Sequence, residues 1–213
     1  MTGNQLDRTI HAHWTRPVDA DTTAVVVALH GRGSDELSMD ALSPIVPPAA
    51  AIVAARAPIR EGDGYAWFVN RGIGRPLPES IADAISLMTA WLGELPDLPT
   101  YLLGFSGGTA MAGGLLLADP SRYQGAVLLS GTLPFDAGLP TVSRRLSGVP
   151  VFFARGEEDR VIPGELFARS HDYLTDESGS ALTERIYPGL GHSISPQMGS
   201  DVHAWLAGLV RQR

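Results

Sequence analysis

The chain of 213 residues contains neither cysteine nor lysine, and each absence removes a kind of chemistry. Without cysteine there is no disulfide, no thiolate metal site and no cysteine nucleophile. Without lysine, all 16 basic residues are arginine, which excludes a Walker A phosphate-binding loop and a Schiff base. Two large classes of enzyme are therefore ruled out.

The chain also lacks a long apolar run and an excess of positive charge. No run approaches the roughly 18 apolar residues of a membrane-spanning helix, and residues 1–14 contain no apolar stretch like a secretory signal. The net charge is -7, so the field of the protein repels the phosphates of nucleic acids. We expect no membrane span, no nucleic-acid partner and a cytoplasmic location.

The composition is that of a globular protein. Hydrophobic residues make up 44% and charged residues 18% of the chain, which leaves no room for a long disordered region. A chain of this length fits one domain with one core. We therefore expect residues 1–213 to form a single domain, and the sequence leaves room for a homodimer.

Short apolar runs alternate with stretches of helical periodicity, as they do in βαβ units. Because the runs are mostly continuous in hydrophobicity, both faces of each strand should be buried. The order predicts an α/β fold, a three-layer α/β/α sandwich with a mostly parallel sheet. The predicted strands are 24–29, 51–55, 100–105, 125–130, 151–154 and 182–187, and the predicted helices follow Pro78 or cover about 109–119, 163–175 and 196–209.

Glycine- and proline-rich connections follow the predicted strands. Ligands of parallel sheets bind at the carboxyl ends of the strands, where these connections lie. About 20 residues separate Ser130 from Val151, too few for an inserted helical lid domain. We expect an open, shallow site. The connections are 31–35, 58–78, 131–140, 156–163 and 188–196.

Residues 104–108, Gly-Phe-Ser-Gly-Gly, have the form G-x-S-x-G, which presents a serine on a sharp turn from a strand to a helix. The motif alone is weak, because an ordinary glycine-rich turn can have the same form. Here it follows a predicted strand and precedes a predicted helix, which is the context that the chemistry requires. The sequence therefore predicts that Ser106 is a nucleophile.

A serine hydroxyl needs a base to take its proton, and the base needs a third group to orient it. Of six histidines, His192 follows the last predicted strand, where a loop can bring its ring over Ser106. His11 and His13 alternate along a predicted N-terminal strand and could bind a metal, but no third ligand lies nearby in sequence. The remaining histidines, His30, His171 and His203, are interpreted as structural.

Asp159 is the candidate for the orienting acid. It follows the penultimate predicted strand, and it gives the chain order Ser, Asp, His that is typical of α/β-hydrolases. Glu157 and Glu158 stay open as alternatives, because a bulge in the loop could bring either carboxylate to the ring. Solvent-exposed loop charges are the simpler interpretation of both.

The reaction of a serine with an acyl group also needs hydrogen-bond donors for the oxyanion. The residue after the nucleophile, Gly107, would supply one amide. The glycine-flanked segment 31–33 follows the first core strand, and the Arg32 amide is the natural second donor. A plain glycine turn is the alternative for this segment.

Segments 29–36, 64–68 and 104–108, together with Asp159 and 191–192, resemble the phospholipase/carboxylesterase family, which includes acyl-protein thioesterases and small bacterial carboxylesterases. The resemblance spans roughly residues 25–209 and keeps the order of the motifs. It implies an α/β-hydrolase fold without a lid domain, a triad of Ser106, Asp159 and His192, oxyanion donors from Arg32 and Gly107, hydrolysis of carboxylic esters or thioesters, and no cofactor or metal.

The resemblance places Trp67 and Phe68 near the acyl site, although an aromatic pair is more often core packing when read alone. Family members commonly carry Gln at the position of Gly107 and an apolar residue at that of Arg32. Backbone donors survive both differences. We hypothesise that Arg32 or Arg71 favours an acidic substrate, which adds Arg71 to the substrate-binding candidates.

The sequence thus predicts a serine hydrolase that cleaves small-molecule carboxylic esters through an acyl-enzyme on Ser106. Cleavage of a thioester or a lactone by the same triad is the alternative, because a triad does not choose its leaving group. A binding protein that kept the fold without catalysis is a more distant one, since a fold does not fix a function. A metal hydrolase built on His11 and His13 is the remotest.

Overall fold

The computed structural model describes residues 7–210, and a seven-stranded sheet forms its centre. In chain order the strands of the described residues are β1 (Ala12–Arg16), β2 (Ala24–Leu29), β3 (Ala50–Ala55), β4 (Ile59–Glu61), β5 (Gly64–Ala66), β6 (Thr100–Phe105), β7 (Gly125–Leu129), β8 (Pro150–Gly156) and β9 (Ala181–Tyr187). The sheet has the order β1-β3-β2-β6-β7-β8-β9, and β4 and β5 form a separate hairpin. Only β1 runs antiparallel to its neighbour in the large sheet, so the prediction of a mostly parallel sheet is confirmed.

Helices cover both faces of this sheet. They are α1 (Pro78–Leu92), α2 (Gly107–Ala118), α3 (Gly164–Asp172) and α4 (Pro196–Val210). Apolar side chains of α1, α2 and α3 share one core with one face of the sheet, and those of α4 share a second core with the other face. The predicted three-layer α/β/α sandwich is therefore confirmed.

Strand β2 shows why the chain forms this architecture. Val25, Val27 and Leu29 belong to the core on the α2 side, whereas Ala24, Val26 and Ala28 belong to the core on the α4 side. Successive side chains of a strand point to opposite faces, so a run that is apolar at every position suits a strand covered on both sides. All six residues of β2 are buried.

The prediction that both faces of each strand are buried is wrong for β9. Among residues 7–210 this strand is last in the sheet and pairs only with β8. Most of its residues are partly or fully exposed, and Ile186 is 47% exposed. The segment contains Thr183, Glu184 and Arg185, which suit an edge strand that meets solvent.

Two elements were not predicted from the sequence. A 3₁₀ helix, Leu37–Ile45, packs on the α4 side of the sheet, and the β4–β5 hairpin lies within the connection 58–78. Between β7 and β8 the chain forms turns and one short 3₁₀ helix, Phe135–Ala137, so no lid domain is inserted there. Among residues 7–210, no helix combines the length and the hydrophobicity that crossing a membrane requires.

Candidate active site

Ser106 lies on a tight turn between β6 and α2, with φ 55° and ψ -117°. A positive φ is unfavourable for a residue with a side chain and persists only where the surroundings enforce it. The two glycines of the motif supply that enforcement. A Cβ on Gly104 would lie 2.4 Å from the Gly108 oxygen, and one on Gly108 would lie 1.9 Å from the Leu29 oxygen. Only glycine lets β6, α2 and β2 approach so closely.

Hydrogen bonds to backbone oxygens of β6 and β7 hold the turn. The amide of Ser106 donates to the Leu129 oxygen at 2.9 Å. The buried hydroxyl of Thr109 lies 2.7 Å from the same oxygen and 2.9 Å from the Gly104 oxygen. Sequence reasoning missed Thr109, although its place three residues after the serine in the first turn of α2 was visible.

The His192 ring joins Ser106 to Asp159. Its Nε2 lies 2.9 Å from Ser106 Oγ, and its Nδ1 lies 2.8 Å from Asp159 Oδ2. Because an ionised carboxylate only accepts hydrogen bonds, Nδ1 carries the proton and Nε2 is left as the acceptor for the serine hydroxyl. The Phe105 ring packs against the imidazole at a centroid distance of 5.2 Å.

The Asp159 side chain is fully buried. Its Oδ1 accepts hydrogen bonds from the amides of Val161 at 2.9 Å and Ile162 at 3.2 Å, which fixes the carboxylate toward the imidazole. Glu157 and Glu158 are exposed. The structure therefore brings Asp159 to the ring and leaves the other two acidic candidates in solvent.

The loops that carry Asp159 and His192 are fastened to each other by their backbones. The amide of Glu157 donates to the Tyr187 oxygen and that of Glu158 to the Leu190 oxygen, both at 2.9 Å. A Cβ on Gly156 would lie 2.0 Å from the Leu190 oxygen. The close contact of the two loops thus depends on a glycine at the end of β8.

The backbones of Gly107 and Arg32, the two predicted oxyanion donors, lie side by side next to Ser106. Gly107 is the first residue of α2, where a helix leaves its N–H groups without intrahelical acceptors. The Cβ position of Gly107 would lie 3.2 Å from the Arg32 nitrogen, so the two segments are neighbours. Hydrogen bonds to the β4–β5 hairpin hold the Arg32 segment: Gly33 donates to Tyr65, and Tyr65 donates to Ser34, each at 2.8 Å.

His30 supports the same segment from the interior. The amide of Ala57 donates to its Nε2 at 3.0 Å, which leaves its Nδ1 to donate to the Gly31 oxygen at 2.8 Å. Trp67 Nε1 donates to the His30 oxygen at 2.8 Å. Burial lowers the pKa of His30, because it disfavours the charged ring. These contacts agree with the structural interpretation of His30.

The other histidines lie apart from Ser106. His11 pairs with Asp7, His13 with Asp40 and His171 with Glu184, at 2.9 to 3.2 Å. Within residues 7–210 no cluster of three or more His, Cys, Asp or Glu side chains is arranged to hold a metal ion. His11 and His13 therefore have an acidic partner each and no third ligand.

Two cavities meet at Ser106, where the sequence analysis expected an open, shallow site. The first cavity has a volume of about 460 Å³ and a mostly apolar lining. Trp67 and Phe68 line it, as the resemblance implied. Arg71 does not: it is exposed and absent from the lining. The residues that line the first cavity are Arg32, Gly33, Glu61, Trp67, Phe68, Asn70, Ile73, Gly74, Pro76, Ser106, Gly107, Ala110, Thr132, Leu133, Pro134, Val161, Ile162 and His192.

The second cavity, of about 470 Å³, shares Arg32, Ser106 and His192 with the first. Its other walls come from the segment after β2, from the 3₁₀ helix Leu37–Ile45 and from the residues after His192. Ser106 thus borders two adjoining spaces. The remaining residues that line the second cavity are Gly31, Ser34, Ser38, Met39, Leu42, Phe105, Ser193 and Ile194.

The Arg32 side chain forms an ion pair that the sequence analysis did not predict. Its Nε donates to Glu61 Oε1 at 2.8 Å, and its Nη2 lies 2.7 Å from Glu61 Oε2. Its Nη1 donates to the Phe68 oxygen at 3.2 Å. The guanidinium therefore lies at the wall of the first cavity with its charge matched by a carboxylate.

Comparison with known proteins agrees with the fold and the motifs. Residues 15–209 match the family model described as Phospholipase/Carboxylesterase. Acyl-protein thioesterase 1 of Eremothecium gossypii is 34% identical over 131 residues, which are 61% of this chain and 52% of that protein. Carboxylesterase SOBER1 of Arabidopsis thaliana is 27% identical over 63% of this chain and 61% of that protein. The matched region thus spans about half to three-fifths of these relatives.

Solved structures share the fold over nearly the whole chain. The Mesorhizobium loti carboxylesterase superposes with a TM-score of 0.77 and 27% identity, covering 89% of this chain and 90% of that one. The Bacillus cereus carboxylesterase has a TM-score of 0.81 at 21% identity, covering 94% of both chains, and shows likeness of fold. With the family model matched over most of its length, this chain belongs to the phospholipase/carboxylesterase family.

Proposed function

We propose that this chain is a serine esterase that hydrolyses carboxylic esters through an acyl-enzyme on Ser106. One observation carries the proposal: Asp159, His192 and Ser106 form a continuous line of hydrogen bonds of 2.8 and 2.9 Å that ends at a serine on a strained turn. A base in hydrogen-bond contact with a nucleophile, and itself oriented by a third group, is the arrangement that activates a serine. Family membership and the carboxylesterase relatives support the same activity.

The first step is attack of Ser106 Oγ on the ester carbonyl carbon. As the C–O bond forms, His192 Nε2 takes the hydroxyl proton, and Asp159 holds the Nδ1–H and stabilises the imidazolium. The carbonyl oxygen becomes an oxyanion. The backbone amides of Arg32 and Gly107 are the donors that would stabilise it.

The second half of the cycle releases the products. When the tetrahedral intermediate collapses, His192 Nε2 gives its proton to the departing alcohol oxygen, and the acyl group stays on Ser106. Water then gives a proton to Nε2 and attacks the acyl-enzyme. This attack forms a second tetrahedral intermediate. Its collapse breaks the bond to Ser106 Oγ, which takes the proton back from His192 Nε2, and releases the carboxylic acid.

The two cavities suit the two halves of an ester. Ser193 and Ile194 follow His192 directly and line the second cavity, so the leaving alcohol that His192 protonates would lie there. The acyl group would lie in the first cavity against Trp67 and Phe68. Arg71 has no support from the structure as a substrate-binding residue. The expected cytoplasmic location and the homodimer stay predictions.

Thioester hydrolysis is a second candidate. It is favoured by the 34% identity to an acyl-protein thioesterase, and the same steps cleave a thioester because the triad acts on the carbonyl carbon. Matched oxygen esters and thioesters of one acyl group separate the two activities by their ratio of kcat/KM. A ratio well above one for either substrate identifies the preferred leaving group.

The proposal is tested with a short-chain aryl ester and a fluorophosphonate probe, comparing the natural protein with Ser106→Ala. We expect covalent labelling at Ser106 by mass mapping, and a loss of roughly 10⁴-fold or more in kcat for the variant. Ser121→Ala, at an exposed serine, is the matched control and should keep both labelling and turnover. Turnover that survives Ser106→Ala would refute the mechanism, and no labelling or turnover at all would favour a binding protein.

A further inference from the structure

Arg32 and Glu61 are the charged pair of the first cavity. Apart from His192, the other residues that line this cavity within the described chain are apolar or uncharged. A guanidinium alone at such a wall would attract a carboxylate on the acyl group of a substrate, since Arg binds carboxylates through parallel N–H donors. Here Glu61 already occupies the Nε and Nη2 side of the guanidinium, at 2.8 and 2.7 Å.

The pair therefore presents nearly zero net charge to the substrate. An anionic acyl group would have to displace Glu61 from Arg32 or lie beside a second negative charge, and like charges placed side by side disfavour binding. An uncharged acyl group meets neither obstacle. This argues against the hypothesis that Arg32 favours an acidic substrate.

We propose that Glu61 is a specificity-determining residue: by neutralising Arg32 it restricts the first cavity to uncharged acyl groups. The inference rests on the proposed ester hydrolysis. It assigns a substrate class, neutral carboxylic esters. It also implies that Arg32 would favour anionic acyl groups once Glu61 no longer neutralises it.

Removal of the Glu61 charge leaves the Arg32 segment supported. Arg32 Nη1 keeps its contact with the Phe68 oxygen at 3.2 Å. The backbone hydrogen bonds between Gly33, Tyr65 and Ser34 do not involve the Glu61 side chain. We therefore expect a Glu61→Gln protein to keep the guanidinium at the cavity wall with its charge no longer matched.

The experiment compares two aryl esters that differ in one charge: the p-nitrophenyl hemiester of adipic acid, an anion, and the corresponding p-nitrophenyl methyl diester. The ratio of their kcat/KM values, neutral over anionic, is measured for the natural protein and for Glu61→Gln at low salt. We expect the natural protein to favour the neutral ester, and Glu61→Gln to lower the ratio by at least about fivefold. The change should shrink at high ionic strength, because salt screens partly exposed charges.

Two controls separate this effect from a general loss of function. Asp63→Asn removes an exposed carboxylate from the same hairpin, outside the first cavity, and should leave the ratio unchanged. Arg32→Gln combined with Glu61→Gln keeps the backbone amide and should abolish the gain for the anionic ester. A ratio that does not change in Glu61→Gln, or that changes as much in the double variant, overturns the inference. Absence of any Ser106-dependent hydrolysis would instead overturn the proposed function.

Discussion

The turn that carries Ser106 and the wall of the first cavity are built in different ways. The turn is held by buried backbone contacts, with Cβ positions on Gly104 and Gly108 blocked by main-chain atoms. The wall is held by side chains, and its Ile73 and Val161 are 48% and 47% exposed. The proposed nucleophile thus lies where main-chain atoms leave no free space, whereas the proposed specificity residues Arg32 and Glu61 have side chains that are 39% and 37% exposed. Substitutions should therefore cost much stability at the turn and little at the exposed side chains of the wall.

The largest effect that would test this contrast is expected from Gly108→Ala. Its added methyl group would lie 1.9 Å from the Leu29 oxygen and 2.7 Å from the His30 oxygen, and main-chain atoms in a buried strand cannot yield as a flexible side chain can. We expect the free energy of unfolding to fall by about 3 kcal/mol or more, at the upper end for an overpacked core. Denaturant unfolding followed by circular dichroism measures it.

Gly208→Ala in α4 is the matched control, because a Cβ there meets no atom within 4 Å. Alanine is favoured over glycine inside a helix by up to about 1 kcal/mol, so this variant should be as stable as the natural protein or more so. Equal stability of the Gly108 and Gly208 variants would contradict the rigid description of the turn.

A smaller loss is expected from Thr109→Val, which keeps the shape of the side chain and removes its hydroxyl. The buried hydroxyl lies within hydrogen-bond distance of the oxygens of Gly104 and Leu129. Losing it should destabilise the protein by about 1–2 kcal/mol and lower kcat as the turn loosens. Thr23→Val is the control, since the exposed Thr23 hydroxyl donates to the Ala49 oxygen at 3.2 Å, and it should cost under about 0.5 kcal/mol. A loss at Thr109 no larger than at Thr23 would break the comparison.

Much of the fold could be predicted because its signals are local. Continuous apolar runs predict strands buried on both faces, as β2 shows, and the G-x-S-x-G motif lies at the junction of β6 and α2. The strands before Ser106, Asp159 and His192 are parallel and in one sheet. Their carboxyl ends therefore lie at one edge, which is why chain order sufficed to predict which side chains meet.

The parts that were missed depend on contacts between distant residues. Glu61 lies at the end of a three-residue strand, too short for a periodic pattern, and its partner is 29 residues away. Nothing near Arg32 in sequence indicates that a carboxylate neutralises it. The exposure of β9 depends on its place at the edge of the sheet, although Glu184 and Arg185 were a sign of it. Local chemistry thus predicts the reacting groups better than the walls of their cavities.

The smallest effect concerns His30, which links the two regions: its ring supports the segment of Arg32, and its carbonyl accepts from Trp67 of the first cavity. Burial lowers its pKa, so below its ordinary value near 6.5 the unfolded chain binds a proton that the folded protein resists. Stability from this group is complete above about pH 6.5 and is lost as the pH falls toward the lowered pKa, by at most about 1.4 kcal/mol per pH unit. The groups with lowered carboxyl pKa values, Asp7, Asp19 and Glu36, titrate below their ordinary values near 4, outside this window.

Between pH 7 and 5.5, the free energy of unfolding should therefore fall more steeply for the natural protein than for His30→Gln. His13→Gln, at a partly exposed histidine, is the control and should keep most of the natural pH dependence of the free energy of unfolding. Equal pH dependence in the natural and His30→Gln proteins would show that a neutral His30 ring does not stabilise the folded protein.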